Sequence, residues 1–151
     1  MSAVSRTIDD LSLGMTAACR VQVTQGMIDS YADVTGDRNP VHVDPDYAAG
    51  TRFGTCIAHG LLSASYIQVP LTELVAPGGV SVSYAFDLLA PVPAGTEIEA
   101  IAVCDGIDAE RARARFRVAV RDISGGGHEV ISGRADIAFP RGNKKQEGER
   151  K

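Results

Sequence analysis

Between Tyr31 and Asp44 the sequence places a carboxylate, an amide and an imidazole within six residues: Asp37, Asn39 and His42, directly after the end of a predicted helix. A carboxylate and an imidazole that share one small space suit general acid-base chemistry, in which one group takes a proton while the other positions or donates one, and the pair can hold a water. Pro40 fixes its own φ and pushes Asn39 towards extended backbone, so the segment is predicted to be non-helical, with Asp37 and His42 free to face the same space. A structural reading fits the same residues. Asp37 would cap a turn, Asn39-Pro40 would punctuate it, and His42 would be a hydrogen-bonded structural histidine. Spacing alone leaves both open.

A second feature is Phe53-Gly54-Thr55-Cys56-Ile57-Ala58-His59-Gly60-Leu61-Leu62, where a glycine opens an apolar helix. The first N–H groups of a helix have no partner within it. If the Gly60 amide faces a cleft, it could hold a carbonyl oxygen on which negative charge develops; the alternative is that Gly60 only permits close packing. His59 reads as a buried hydrogen-bonding residue rather than a second base. Arg38 and Arg52 flank the region and could meet either an acidic protein surface or phosphate groups.

Positioning these residues falls to elements that divide at about residue 77. Thr24 precedes Met27, Ile28, Tyr31 and Val34 at helical spacing, with Gly36 where a C-cap would stop the helix. Residues 37 to 56 suit an ordered loop with one helical turn around Asp46 to Ala49. From Ile57 to Val75 apolar or small residues fall on nearly every face, which predicts a buried helix kinked or restarted at Pro70.

Beyond Gly78 the period becomes two, predicting strands near 80 to 89, 96 to 105, 110 to 122 and 128 to 139, with a shorter strand near Cys19 to Val23. In the third long strand Ala112, Ala114, Phe116, Val118 and Val120 share one face, and five arginines share the other. A hairpin turning near Ile107 would set Glu97 and Glu99 opposite Arg117 and Arg115, making that row a solvated, salt-bridged face. Gly125-Gly126-Gly127 reads as a hairpin turn; it lacks the strand, G-x-G-x-x-G and helix order of a phosphate cradle. The sum is an α+β fold, a largely antiparallel sheet packed on one helix, whose open edges favour pairing of two subunits.

The 151 residues, 44% apolar and 23% charged, allow one sizeable core. The net charge is -4, so no positive excess exists to hold a nucleic-acid backbone. No stretch approaches the roughly 20 apolar residues of a membrane span and no signal-like segment opens the chain, so a cytoplasmic location is expected. Cys19, Cys56 and Cys104 are isolated from one another and read as reduced, mostly buried thiols, with no paired spacing for a metal site. Residues 141–151, with five basic and two acidic side chains and no apolar one, are expected to be a disordered tail.

Thr35-Gly36-Asp37-Arg38-Asn39-Pro40-Val41-His42-Val43-Asp44, followed by Tyr47-Ala48-Ala49 and Ile57-Ala58-His59-Gly60, resembles the signature of the MaoC-like, (R)-specific enoyl-CoA hydratases of the hot-dog fold. Leu89-Ala90-Pro91-Val92-Pro93-Ala94-Gly95-Thr96 extends the similarity, which covers roughly residues 10 to 139.

The resemblance implies a single hot-dog domain over residues 1–140, an antiparallel sheet wrapped around a central helix, and a homodimer. It implies reversible hydration of a trans-2-enoyl thioester to a (3R)-3-hydroxyacyl thioester, with Asp37 and His42 as catalytic dyad and the Gly60 amide receiving the thioester oxygen. Asn39, Arg38, Arg52 and His59 would serve substrate binding. No metal or redox cofactor is implied; coenzyme A or phosphopantetheine would arrive on the substrate. Two rival readings are a 3-hydroxyacyl dehydratase acting on an acyl carrier protein and a non-catalytic thioester-binding subunit. Gly26 in the first helix and Pro70 in the central helix depart from the family pattern, and Pro70 falls where an acyl chain would run.

Overall fold

A computed structural model describes residues 5–141; the expected tail therefore lies, from residue 142 onward, outside the described residues. Five strands form one antiparallel sheet: β1 (Thr16–Gln22), β2 (Val80–Leu88), β3 (Glu97–Asp108), β4 (Arg113–Asp122) and β5 (His128–Ala138). Their order is β1-β3-β4-β5-β2, which leaves β1 and β2 as edges. Five helices precede or interrupt the strands: α1 (Gln25–Thr35), α2 (Pro40–Val43), α3 (Pro45–Ala49), α4 (Gly60–Ser65) and α5 (Gln68–Val75).

Period-two patterning explains the sheet's buried face. Phe116, Val118 and Val120 on β4 join Ile98, Ala100 and Ala102 on β3 and Ile131, Ala135 and Ile137 on β5, all buried. The small residues of β3 let a helix sit close, and α5 packs across β1 and β3 there, burying Leu71, Leu74 and Val75. This layer of helix on sheet is the core. Among the described residues no helix is long and apolar enough to cross a membrane.

The first helix forms as its sequence predicts. Thr24 Oγ1 accepts from the Met27 N–H at 3.2 Å, and Gly36 ends the helix at φ 81°, a conformation that disfavours any side chain.

Three expectations are corrected. The segment from Asp37 to His42 is not helix-free: Pro40 starts the one-turn helix α2, because the first helical position needs no N–H donor and its φ suits proline. Asn39 keeps the extended backbone that a following proline imposes, and its Oδ1 caps the turn by accepting from Val41 N–H at 3.3 Å. Asp44 does the same for α3, accepting from the N–H groups of Asp46 and Tyr47. The loop thus carries two helical turns rather than one.

Second, the central helix is interrupted at Tyr66–Ile67 and not at Pro70, which lies inside α5. Proline cannot donate to the carbonyl four residues back, so the disruption appears one turn earlier, where Val69 N–H reaches the Tyr66 carbonyl in a tighter three-residue bond at 3.2 Å. Nor is this helix buried all round: Leu61 is 62% and Val69 50% exposed.

Third, the β3–β4 hairpin turns later than Ile107. Asp108 Oδ1 accepts from the Arg111 N–H at 3.0 Å, which places the turn after Asp108. Glu99 consequently faces Arg121, while Arg117 faces Val103 and Arg115 faces Gly106. The arginine face is still solvated and paired, through Arg20–Glu99, Arg115–Asp105 and Arg121–Glu129. Solvent screening leaves such pairs little net effect on stability.

All three cysteines are free thiols. Burial pushes each thiol above its ordinary value, so the reactive thiolate is scarce at neutral pH. The folded protein is expected to resist iodoacetamide at pH 7.5 and to gain three labels once urea unfolds it, as counted by intact mass. Rapid labelling of the native chain would contradict this burial.

Candidate active site

Asp37 follows the C-cap of α1, His42 sits on α2, and His59 precedes α4, so three separate pieces of chain must be brought together. Several bonds achieve this. Gln25 on α1 donates through Nε2 to the His42 carbonyl at 2.8 Å. Ile57 N–H donates to the Val41 carbonyl at 3.2 Å, and the Ile57 carbonyl accepts from His42 Nδ1 at 2.7 Å. The strand-like segment around Ile57 is itself fixed by Ala58 N–H to Val92 O at 2.8 Å and Ala94 N–H to Cys56 O at 2.9 Å. The Pro-rich stretch after β2 is therefore what sets the height of the imidazole.

A carbonyl oxygen can only accept, so the partners decide the tautomers. His42 carries N–H at Nδ1, which leaves Nε2 for other work. His59 carries N–H at Nε2 and donates it to the Asp37 carbonyl at 2.9 Å. The His42 and His59 rings lie with centroids 3.9 Å apart, and the Tyr31 ring lies 4.8 Å from that of His59.

Asp37, His42 and His59 each bring one ligand-type atom to within 4.8 Å of the others. With one nitrogen of each ring already committed as a donor, and His59 only 3% exposed, the cluster presents an outward carboxylate and one outward imidazole lone pair. That set can grip the two protons of a water. It does not make a closed metal cage, which needs more convergent lone pairs.

The residues read from sequence fall into two groups. Asp37, Asn39, His42 and His59 come together. Asn39 N–H donates to Asp37 Oδ1 at 3.2 Å, so the carboxylate caps a turn through one oxygen, as its structural reading expects. Gly60 begins α4, and a Cβ there would meet only the end of the exposed Leu88 side chain, which can turn aside, so close packing does not by itself require the glycine. Arg38 pairs with Asp33, and the Arg52 guanidinium lies over the Phe53 ring at 4.8 Å. Sequence reasoning missed Gln25 and the Tyr31 ring as supports. The polar Gln25 at the first turn of an otherwise amphipathic helix was the available signal for the former.

An apolar cavity of about 260 Å³ lies beside the dyad layer, lined by Tyr31, Leu61, Ala64, Gln68, Tyr84 and Phe86. A larger open depression, about 620 Å³ between β2 and β5, includes neither Asp37 nor His42. Tyr31, which lies against His59, lines the smaller cavity and also a third, of about 490 Å³, with Met27, Leu62 and Tyr66.

Residues 14–125 match the model of the MaoC like domain. The chain belongs to the MaoC-like family. It is 36% identical over 142 residues to a 3-hydroxybutyryl-CoA dehydratase of Methylorubrum extorquens, covering 93% of this chain and 87% of that one. To an (R)-specific enoyl-CoA hydratase of Rhodospirillum rubrum it is 34% identical, covering 87% and 90%.

Among solved structures, the R-hydratase PhaJ1 from Pseudomonas aeruginosa superposes with a TM-score of 0.81 at 29% identity over 89% of this chain and 86% of that one. The (R)-hydratase from A. caviae gives 0.82 at 26%, over 86% and 98%. The MaoC-like fold here is thus the hot-dog arrangement of those hydratases, a five-stranded antiparallel sheet packed on α5.

Proposed function

We propose that this protein is an (R)-specific enoyl-CoA hydratase, adding water reversibly across the C2–C3 double bond of a trans-2-enoyl-CoA to give a (3R)-3-hydroxyacyl-CoA. The observation that carries the reading is the convergence of the Asp37 carboxylate with a His42 ring whose Nδ1 is already tied to the Ile57 carbonyl. Coenzyme A thioesters are favoured over carrier-bound ones because both relatives described above, aligned along most of their length, are named for CoA substrates.

In this mechanism one water donates a hydrogen bond to Asp37 and another to His42 Nε2, leaving an oxygen lone pair aimed at C3 of the substrate. As the C3–O bond forms, Asp37 takes a proton from the water, and the dyad returns a proton to C2, so one water is consumed and no redox step occurs. Negative charge that develops on the thioester oxygen between these events is met by the Gly60 N–H. Asn39 holds the carboxylate through its own N–H, and His59 backs the His42 ring. Arg52, which has no ion pair among the described residues, is available to the phosphates of coenzyme A.

The functional unit is a homodimer. Strand β2 is an open edge, and Val80, Val82, Leu88 and Leu89 on or after it are exposed together with Leu61. An apolar edge of this kind invites pairing with a second copy. Light scattering at micromolar concentration should give twice the chain mass, and the Val80→Lys/Val82→Lys double variant should give the chain mass; a monomeric wild type contradicts the assembly.

The activity is tested by following loss of the conjugated thioester for enoyl-CoA substrates of graded length, with product stereochemistry determined. Consumption with formation of the (3R) product supports the reading. Activity confined to carrier-bound substrate, or binding without turnover, overturns it.

A further inference from the structure

Two buried polar groups play no part in the mechanism above. His59 Nδ1 and Ser63 Oγ each lack a hydrogen-bond partner among the described residues, although His59 is 3% and Ser63 1% exposed. An unpaired buried polar atom is costly enough that nearly all such atoms in folded proteins are satisfied. The Ser63 N–H donates to the His59 carbonyl at 3.2 Å, so the two residues stand one helical turn apart on the same side of the chain.

Ser63 also differs from other helical serines. Ser30 Oγ donates back to the Gly26 carbonyl at 2.9 Å, and Ser65 Oγ to the Leu62 carbonyl at 2.6 Å. Those hydroxyls are satisfied by their own helices. The Ser63 hydroxyl is not, and it shares its turn with a ring nitrogen that needs a donor. His59 Nδ1 must carry a lone pair, because Nε2 holds the proton given to the Asp37 carbonyl. One water can donate to that lone pair while accepting from the Ser63 hydroxyl, which satisfies both groups.

We propose that Ser63 is a positioning residue for the reaction: through one buried water it pins the His59 ring where Nε2–H anchors the Asp37 backbone and the ring face backs His42. If this bridge is lost, Nδ1 has no donor and the ring is free to turn. The 2.9 Å bond from His59 Nε2 to the Asp37 carbonyl then lengthens, and the segment carrying the carboxylate must shift. A small misplacement of a reacting group is enough to slow turnover strongly. The effect on rate rests on the hydratase reading; the bridge to His59 does not.

The test compares wild type, Ser63→Ala and Ser63→Cys as full chains, by ¹⁵N NMR of the histidine rings, thermal melting and steady-state kinetics on an enoyl-CoA. Wild-type His59 is expected as the Nε2–H form. Ser63→Ala should shift the Nδ1 signal as its lone pair loses a donor, lower Tm, and reduce kcat roughly tenfold with KM changed less than twofold; Ser63→Cys, a weak donor of similar size, should fall between.

Unchanged ring signals with an equal or higher Tm in Ser63→Ala mean a dry hydroxyl and overturn the bridge. Altered ring signals with wild-type kcat overturn the positioning role. A wild type with no hydratase activity defeats the functional reading, while the ring signals and melting still decide whether the bridge exists.

Discussion

Asp37→Asn should lower kcat on an enoyl-CoA by about 10²-fold or more, the usual size of an acid-base contribution, with little change in melting temperature. Asparagine keeps an oxygen that can accept from the Asn39 N–H, so the turn preceding α2 survives. What disappears is the charged oxygen able to take a proton from water. His42→Ala should be comparably slow for a complementary reason, since it removes the Nε2 acceptor. It also strips the Ile57 carbonyl of its donor, so a loss of about 1–2 kcal/mol in stability is expected as well. Urea titration separates that loss from the kinetic effect at temperatures where both variants are folded. Wild-type turnover in both variants would leave the dyad without a role.

The largest effect on stability is expected at Phe116. This ring is fully buried on β4, opposite Cys104 on β3 and Ala135 on β5. Its neighbours across the ladder are small, so they cannot collapse into the space left by truncation, and Phe116→Ala should cost about 3–5 kcal/mol. Phe116→Leu, which keeps most of the volume, should cost much less. Urea midpoints at constant m-value provide the comparison. A loss below about 1 kcal/mol for the alanine variant would show that the layer between sheet and helix is not packed around this ring.

Much of this was legible in the chain. Alternation from Ala112 to Val120 identified β4 and its inward face, and Thr24 with Gly36 marked both ends of α1, because each signal depends on residues adjacent in sequence. The errors share a cause: they concern where one local preference yields to another. Pro40 argues against a helix interior, yet the same fixed φ makes it a good first helical residue. Pro70 predicts a break at its own position, although the carbonyl it cannot serve lies one turn earlier, at Tyr66. The β3–β4 hairpin turns between Asp108 and Arg113 rather than at Ile107, and that shift moves the partner of Glu99 from Arg115 to Arg121.

In the site, Asp37, Asn39 and His42 could be read from their spacing, and their family resemblance gave them roles. The carbonyl of Ile57, which fixes the tautomer of His42, could not. It is a backbone atom fifteen residues away, held in place by Val92 and Ala94 from beyond β2, and no side-chain pattern announces it. The same holds for the cluster of Tyr31, His59 and His42, which forms only when α1, α2 and the start of α4 converge.

The most direct test of the shared-water mechanism is a crystal structure of the Asp37→Asn variant with a (3R)-3-hydroxyacyl-CoA bound. The 3-hydroxyl oxygen marks where the attacking water sits. It should lie within hydrogen-bond distance of both the residue 37 side chain and His42 Nε2, with the thioester oxygen on the Gly60 N–H. A 3-hydroxyl group lying away from His42, or a thioester oxygen turned from Gly60 towards another donor, would contradict it.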